Sequence, residues 1–585
     1  MNILSVRDGI KKQITKFFDV EYGLLIENIS ITIPEMEFGD LSTNICLAES
    51  KSLKVSPIEI ANKLVSFLRK QNLNYLKDLE VKGPGFINFW LSQKVLVEKK
   101  SLFSFLSSSK NNFVPSKYTG KSVLVEHSSP NLFKPFTIGH LMNNFTGEFL
   151  VRAMKETGAF VTTISFPSDI SMGIAKAVYV IKEDGGLVQD IFETGTQAEI
   201  VEYLGKTYVR GVELYKKWEE ENNQDKIRDV KEVANNMFQD VSGEDLDIFE
   251  HTKKINLDYL FSTLNTLGSS FDGFIFESEA GVVGKELTLK YLDNIFERSE
   301  GAIVYVPNQN RKDINTSVFI NSEGNPTYEA KDLGLLKLKF ERYNPDHSFF
   351  ITDNEQGPHF RVVLDAGGKI DKIWEEKSIF VPHGRMSFRG ERMSSRLGGV
   401  PNAFDVLREL EEEIVKRGDR KIEGLSGEEK EKLNKNLALS GIRITILKSK
   451  LGINIDFDPE KSLSMEGDSG PYLCYTHARI FSLLEKGRSK GYKPRLDITM
   501  EIDPVLRKVF QYELMLEEVI NEIAPQKLIT YLFELASLYN SFYANTRILE
   551  DENKDASHQL YISQIVKEKL QKSLDILGIK APEKM

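Results

Sequence analysis

Residues 123–144 read VLVEHSSPNLFKPFTIGHLMNN, and the residue types are those of a phosphate-handling turn. The apolar run Val123-Leu124-Val125 predicts a strand ending in Glu126, followed by a Ser-Ser-Pro-Asn turn and Lys134. Thr137-Ile138-Gly139-His140 then opens a helix. A helix N-terminus offers free N–H groups and partial positive charge, glycine lets an anion approach the backbone, and histidine can donate to it. A second segment, MSFRGERMSSRLGG at residues 386–399, combines three arginines, three serines and three glycines ahead of a helix predicted near Asn402. Hydroxyls, guanidinium forks and flexible backbone suit a phosphate clamp that closes on its ligand. By composition alone they also describe a solvated basic loop.

The elements that must position these residues follow from pattern. The strand at Val123, a helix from about Leu141 to Lys155, Gly158 as its cap and a strand over residues 160–166 have βαβ spacing. That spacing predicts a parallel, doubly wound sheet. Residues 180–270 are charged, helical and free of strand signals, so a helical insertion is expected over about 180–295. Strand character returns at residues 302–305 and 348–351. Ahead of the sheet lie an amphipathic helix, a helix from Pro57 to Lys70, and a Gly83-Pro84-Gly85 turn opening a strand, with a linker near residues 107–120. Beyond residue 455 apolar positions recur at helical spacing to the end. The fold class expected is therefore α/β. A small α+β N-terminal domain (1–105) precedes a Rossmann-type parallel-sheet catalytic domain (118–455), and an all-helical C-terminal domain follows (456–585).

A chain of 585 residues exceeds one core, and 41% hydrophobic with 28% charged residues is ordinary for a globular protein. The net charge of −10 argues against wholesale coating of nucleic acid but leaves room for a local basic groove. Cys46 and Cys474 lie far apart without CxxC spacing, which excludes a disulfide framework or a cysteine-built zinc site and fits a reducing compartment. With no run of about 18 apolar residues and no signal-peptide pattern, a cytoplasmic protein without membrane partner is expected.

Together the segments resemble the class I aminoacyl-tRNA synthetases, and the arginyl-tRNA synthetases in particular. Thr137-Ile138-Gly139-His140 corresponds to the HIGH signature and Arg392-Met393-Ser394-Ser395-Arg396 to the KMSKS loop. VEHSSPNLFKPFTIGHL follows the arginyl pattern V-E-F-S-S-P-N-x-x-K-P-x-H-x-G-H-L. SEGNPTYEAKDLG, ITDNEQGPHF, PYLCYTHARI, the N-terminal FGDLSTN and GPGFINF, and the ending Ala-Pro-Glu-Lys also match in the family's order.

The resemblance implies that arginine attacks the α-phosphate of ATP and that tRNA then takes the arginyl group. Both steps are chiefly positioning and stabilisation of phosphate charge. It assigns catalytic roles to Lys134, Thr137, His140, Arg392, Ser394, Ser395 and Arg396, and ATP contacts to Pro130, Gly139, His140, Asn143, His359 and Met393. Arginine would meet Glu126, Asn131, Glu277, Tyr328, Asp332 and Gln356, since a guanidinium calls for carboxylates and planar acceptors. Read singly, Glu126 could be a surface charge, Tyr328 a core ring and Asp332 a helix cap. Magnesium would accompany ATP, with no metal bound by the protein itself.

For the arginine tRNA the resemblance names Phe86, Asn88, Tyr472, Tyr475, Arg479, Tyr543 and Met585; His477 could serve there or in an amphipathic core. It also implies that bound tRNA is needed for activation, and a monomer is expected.

Three departures stand out. Thr137 replaces the first His of HIGH, Arg392 and Ser395 replace the lysines of KMSKS with Lys134 placed to compensate, and the segment Ser168-Asp169-Ile170-Ser171 keeps the family's aspartate but loses its tryptophan. The alternatives are a catalytically weakened tRNA-binding paralogue, a class I synthetase of another specificity, or a nucleotidyl transferase of related fold.

Overall fold

The computed structural model describes residues 3–96, 113–134, 136–388, 402–417, 425–497, 499–550 and 553–585. The chain forms two compact units: Met1–Thr119, Gly418–Lys448 and Glu460–Met585 in one, Gly120–Arg417 and Ser449–Pro459 in the other.

The first unit opens with α1 (Ile3–Tyr22), β1 (Leu41–Thr43), α2 (Ile45–Leu53), α3 (Pro57–Lys70), β2 (Leu76–Lys82) and β3 (Phe86–Leu91). The strands form an antiparallel sheet in the order β1-β3-β2. In α3 a proline sits in the first turn, where its missing N–H costs nothing, and Ile60, Ala61, Leu64, Val65 and Leu68 recur at helical spacing, all buried.

The second unit carries the sheet that positions the candidate site. It starts with β4 (Ser122–Glu126), α4 (Ile138–Lys155), β5 (Phe160–Ser165) and α5 (Met172–Glu183). The helices α6 (Gln197–Glu220), α7 (Gln224–Phe238) and α8 (Glu244–Thr266) come next, then β6 (Gly273–Phe274) and α9 (Glu277–Lys290). The hairpin strands β7 (Phe296–Ser299), β8 (Ala302–Tyr305) and β9 (Ser317–Ile320) make a separate antiparallel sheet. The run continues through α10 (Tyr328–Tyr343), β10 (His347–Asp353), α11 (Gly357–Ile370), β11 (Ser378–His383), β12 (Met386–Phe388) and α12 (Ala403–Arg417). The main sheet has the order β11-β10-β4-β5-β6, and every pair is parallel. From β4 the chain winds one way through β5 and β6 and later the other way through β10 and β11. The boundary between β4 and β10 is thus a topological switch point, where ligands bind beyond the carboxyl ends of the strands.

One boundary differs from expectation. The helical insertion was placed over about 180–295, yet β6 at Gly273–Phe274 pairs with β5 in the main sheet, and α9 follows it. A two-residue strand is too short to leave a period in the sequence. α9 and α10 cross where a Cβ on Gly284 would stand 1.7 Å from the Ala330 carbonyl oxygen, and one on Gly334 2.0 Å from that of Ala280. Glycine at both positions lets the backbones touch, which brings the start of α9 against the side chains of α10.

The first unit resumes with α13 (Gly427–Leu447), while β13 (Ile455–Phe457) returns to the second unit and pairs with β12. α14 (Gly470–Ser489), α15 (Pro504–Phe510), α16 (Tyr512–Glu522), α17 (Pro525–Asn545) and α18 (Ala556–Ile576) complete it. The segments expected as separate first and last domains share a core, since Phe510 and Leu514 pack with Leu41, Leu64 and Phe89. Buried Asp40 joins them, accepting the Leu91 N–H at 2.7 Å and Arg507 Nη1 at 2.6 Å. Partners more than 400 residues apart leave no local pattern to read. Among the described residues no helix is long and apolar enough to cross a membrane.

Candidate functional site

The loop leaving β4 is held in a conformation that few side chains adopt freely. Ser128 and Phe133 have φ of +56° and +65°, in the left-handed region. A polar lattice holds them there. Buried Asn143 of α4 accepts the Ser128 N–H at 2.6 Å and donates to the Ile351 carbonyl at 2.6 Å, tying β4, α4 and β10 together. Asn144 donates to Ser128 Oγ at 3.0 Å, and Asn256 of α8 accepts the Phe133 N–H at 3.2 Å. Asn143, expected at ATP, has both ends of its amide engaged in positioning this loop.

At the start of α4, Thr137 donates its N–H to His140 Nδ1 at 2.9 Å. That bond leaves Nδ1 unprotonated and puts the proton of the neutral ring on Nε2. Burial, with repulsion from His383 and Lys134, pushes the imidazole down to about 4. At neutral pH His140 is thus an uncharged donor at a helix N-terminus. A Cβ on Gly139 would meet only Thr137 Oγ1, at 3.7 Å, so the backbone there is open to a ligand. Lys134 is exposed, its ammonium 5.2 Å from the Tyr208 ring.

Arg392, Met393, Ser394, Ser395 and Arg396 lie outside the described residues, but the segments flanking them are anchored close by. β12 is paired with β13. On the far side Asn402 bridges to Thr137, and the Ala403 N–H donates to the Phe136 carbonyl at 2.8 Å. The chain therefore re-enters beside the turn that carries His140.

The expected arginine-binding carboxylates each already hold a cation. Glu126, at the end of β4, pairs with buried Lys339 at 2.8 Å. Buried Glu277 pairs with Lys331 at 2.7 Å; burial raises its carboxyl and Lys331 opposes that shift. Asp332 accepts from His359 Nε2 at 2.6 Å, with Glu329 Oε1 3.7 Å from Nδ1. Burial works against a charge on His359, but Asp332 and Glu329 outweigh it and push the imidazole up to about 10. His359, expected at the nucleotide, stands between two carboxylates of α10, because α11 lies against that helix. Asp332 also acts on Glu277 as a nearby like charge, which puts the two in one neighbourhood.

Tyr328 opens α10 as a residue 61% exposed, with its ring centre 5.4 Å from the Lys331 ammonium. Asn131 bridges to Ser168, whose N–H donates to the buried Pro130 carbonyl at 3.1 Å. Gln356 lies exposed beyond β10 and accepts from Thr352 Oγ1 at 2.7 Å. Asp169 accepts the N–H and hydroxyl of Ser278 at 2.9 and 2.7 Å and pairs with Lys253 at 2.9 Å, fixing the start of α9 and so Glu277. Lys331, Lys339, Glu329 and Asp169 are the participants that motif reading did not assign. One signal was present, a lysine at position 339 among buried apolar neighbours in LGLLKLKF.

In the first unit, Arg479 of α14 donates to Asn540 and to the Tyr475 hydroxyl, both at 2.8 Å. Its guanidinium lies 4.6 Å from the Tyr475 ring centre and 5.3 Å from that of Tyr543. Arg479, Tyr475, Tyr543 and Met585 are among the residues that line a cavity of about 610 Å³. Tyr472 is tied in through its hydroxyl, which accepts from Asn540 at 3.0 Å. His477 is buried with Nδ1 2.8 Å from the Pro582 carbonyl, which settles it as core. Phe86 is exposed, but Asn88 is 3% exposed and accepts from Ser42 Oγ at 2.8 Å. Asn88, expected at tRNA, thus closes a bond between β1 and β3. Among the described residues no group of three or more His, Cys, Asp and Glu side chains is disposed to hold a metal.

The chain matches three family models in succession: the arginyl tRNA synthetase N-terminal domain over residues 4–91, the class I (R) tRNA synthetase catalytic domain over 102–458, and the DALR anticodon-binding domain over 473–585. Curated relatives include proteins named arginine–tRNA ligase from Borreliella burgdorferi and Treponema denticola. The first is 29% identical across 94% of both chains, and the second 27% across 96% of both. Solved structures of similar fold include arginyl-tRNA synthetases of Thermus thermophilus and Plasmodium falciparum. The Thermus protein is 23% identical with a TM-score of 0.78, covering 99% of this chain and 100% of that one. The Plasmodium protein is 18% identical with a TM-score of 0.79, covering 99% of each. With the catalytic model alone spanning more than half of its residues, the chain belongs to the class I arginyl-tRNA synthetases.

Proposed function

We infer that the protein is an arginine–tRNA ligase. It condenses L-arginine with ATP to arginyl-adenylate and pyrophosphate, then passes the arginyl group to the terminal ribose of arginine tRNA and releases AMP. What supports this reading at the site is a pair of features in one unit: a helix N-terminus after β4 bearing a neutral His140, and Glu277 and Asp332 acting on each other as neighbouring charges on α9 and α10.

The roles follow from the chemistry of each group. The His140 Nε2–H and the first turn of α4 donate to phosphate oxygens as charge builds there, with no proton lost in the step. Lys134 and the Arg392–Arg396 segment supply positive charge over the leaving pyrophosphate, and Thr137 orients His140. Gly139 and Pro130 leave the nucleotide room. Asp332 and Glu277 take the guanidinium, with the Tyr328 ring as a wall, while Asn131 and Gln356 meet the α-amino and carboxylate end; Glu126 acts through Lys339. Magnesium travels with ATP on phosphate oxygens and water, adding charge neutralisation. On the first unit Arg479, Tyr475, Tyr543 and Met585 form a stacking seat for a splayed base, and Phe86 offers a ring to tRNA. The enzyme works in the cytoplasm as a monomer.

The test is to supply the protein with labelled arginine, ATP, magnesium and an arginine tRNA transcript. Label should enter acid-precipitable tRNA only when all are present. No charging of any arginine tRNA at micromolar enzyme would overturn the assignment.

A further inference from the structure

Both carboxylates proposed to meet the substrate guanidinium are already paired with a cation of the protein itself, Glu277 with Lys331 and Asp332 with His359, and Glu126 is likewise paired with Lys339. An arriving guanidinium must therefore displace or neutralise one of them. The lysine side chains are 2% and 8% exposed, whereas His359 and Asp332 are 24% and 14% exposed, open to water and to a ligand. Imidazole is also the side chain that gives up its charge near neutral pH.

We propose that His359 is an internal competitor for the arginine site, occupying Asp332 as an imidazolium in the free enzyme and surrendering its proton when the substrate guanidinium arrives. This inference rests on the reading of Asp332 as the guanidinium's partner. The geometry that carries it is the placement of one ring between two carboxylates a turn apart on α10, with Nε2 2.6 Å from Asp332 and Nδ1 3.7 Å from Glu329. A guanidinium that takes Asp332 removes the nearer stabilising charge and puts a positive one in its place. The Nε2–H bond then breaks and its proton passes to solvent. Nδ1–H stays turned to Glu329, and the freed Nε2 lone pair accepts a guanidinium N–H. One positive charge replaces another, so the net charge of the corner is conserved.

The other charged groups around the ring have partners of their own. On its own helix Arg361 turns to Asp313 at 3.9 Å. At the turn after β10, Asp353 and Glu355 are paired with Arg385. From the short helix Lys372–Lys377, Lys372 pairs with Glu376, and Glu375 lies beside Gly368. β11 carries only His383, which is turned to the Gly384 carbonyl. Asp332 and Glu329 are thus the two charges that set the state of the ring, and together they hold it protonated in the free enzyme. The sign follows: a complex that binds one proton fewer than the free enzyme grows tighter as pH rises, by up to about tenfold per pH unit. An arginine pocket without such a competitor shows no such slope below the titration of the substrate's own amino group.

The experiment is calorimetric titration of arginine into the full chain saturated with arginine tRNA, at pH 7.5 in two buffers of unlike protonation enthalpy, and again at pH 6.5 and 8. The expected result is release of close to one proton and an affinity that rises with pH. His359→Gln should abolish both the release and the slope, whereas a merely structural role for the ring would weaken arginine equally at every pH. Binding without proton release and with flat pH dependence, in an enzyme whose Asp332→Asn variant has lost arginine affinity, would overturn the competitor and leave the pocket reading intact. An Asp332→Asn variant with undiminished arginine affinity would overturn both.

Discussion

The two candidate sites are built on opposite principles. In the second unit the expected arginine-binding groups are charge held against charge: Glu277 with Lys331, Asp332 with His359, Glu126 with Lys339. In the first unit the cavity around Arg479 sets one guanidinium against two rings, 4.6 Å from the centre of Tyr475 and 5.3 Å from that of Tyr543. The first arrangement suits a small cation whose shape and charge must both be met, because only a cation can take the place of the one a carboxylate already holds. The second suits a flat, weakly charged base, which stacks without regard to net charge. Selectivity should therefore be steep and pH-dependent at the first site and gradual at the second.

The sharpest way to break this contrast is at Asp332. Asp332→Ala removes the carboxylate and strands the His359 imidazolium, so kcat/KM for arginine should fall about a thousandfold. Affinity for tRNA, measured by filter binding, should stay within about twofold; an equal loss of both would show that Asp332 holds the fold rather than the substrate. Next in size is His140→Ala. Loss of one preorganised donor should lower kcat for activation by about 10²–10³ while the KM for arginine changes little. An effect confined to KM would mean that the ring touches arginine rather than phosphate.

A third prediction concerns the neutral imidazoles that support the charged site. Burial pushes His127, beneath the β4 loop, down to about 3. Its folded value lies below the unfolded one, so the unfolded chain takes a proton first as the solution is acidified. Stability is fully present above about pH 6.5 and falls as pH drops, by on the order of 3 kcal/mol at pH 4 from this group. Thermal melts from pH 7 to 4 should show the decline, and His127→Asn should make it shallower; an unchanged slope would contradict the assignment. The smallest expected effect is at the ring-built site. Arg479→Ala should raise the KM for tRNA about tenfold and leave the KM for arginine at saturating tRNA nearly unchanged.

The sequence carried the frame of the charged site better than its wiring. Val123-Leu124-Val125 read as a strand because a central parallel strand is buried on both faces and hence uniformly apolar. Thr137 to His140 read as a helix start because capping is local chemistry, and the structure adds that Thr137 hands its N–H to His140. The pairings were illegible for a physical reason: Lys339 lies 213 residues from Glu126, and His359 27 from Asp332. No spacing rule connects such partners; the crossing of α9 and α10 at Gly284 and Gly334, which brings Lys331 to Glu277, is equally invisible in local pattern. Asn88 was as hard to read: it shares an alternation face with exposed Phe86, yet it is buried and accepts from Ser42 on the neighbouring strand β1, 46 residues away.

The central claim is that the charge-built corner selects arginine for activation. ATP–pyrophosphate exchange, run with each of the twenty amino acids with and without arginine tRNA, tests it most directly. Exchange with arginine alone, present at least when tRNA is bound, is the predicted result. Exchange driven by another amino acid, or none with arginine in either condition, would contradict it.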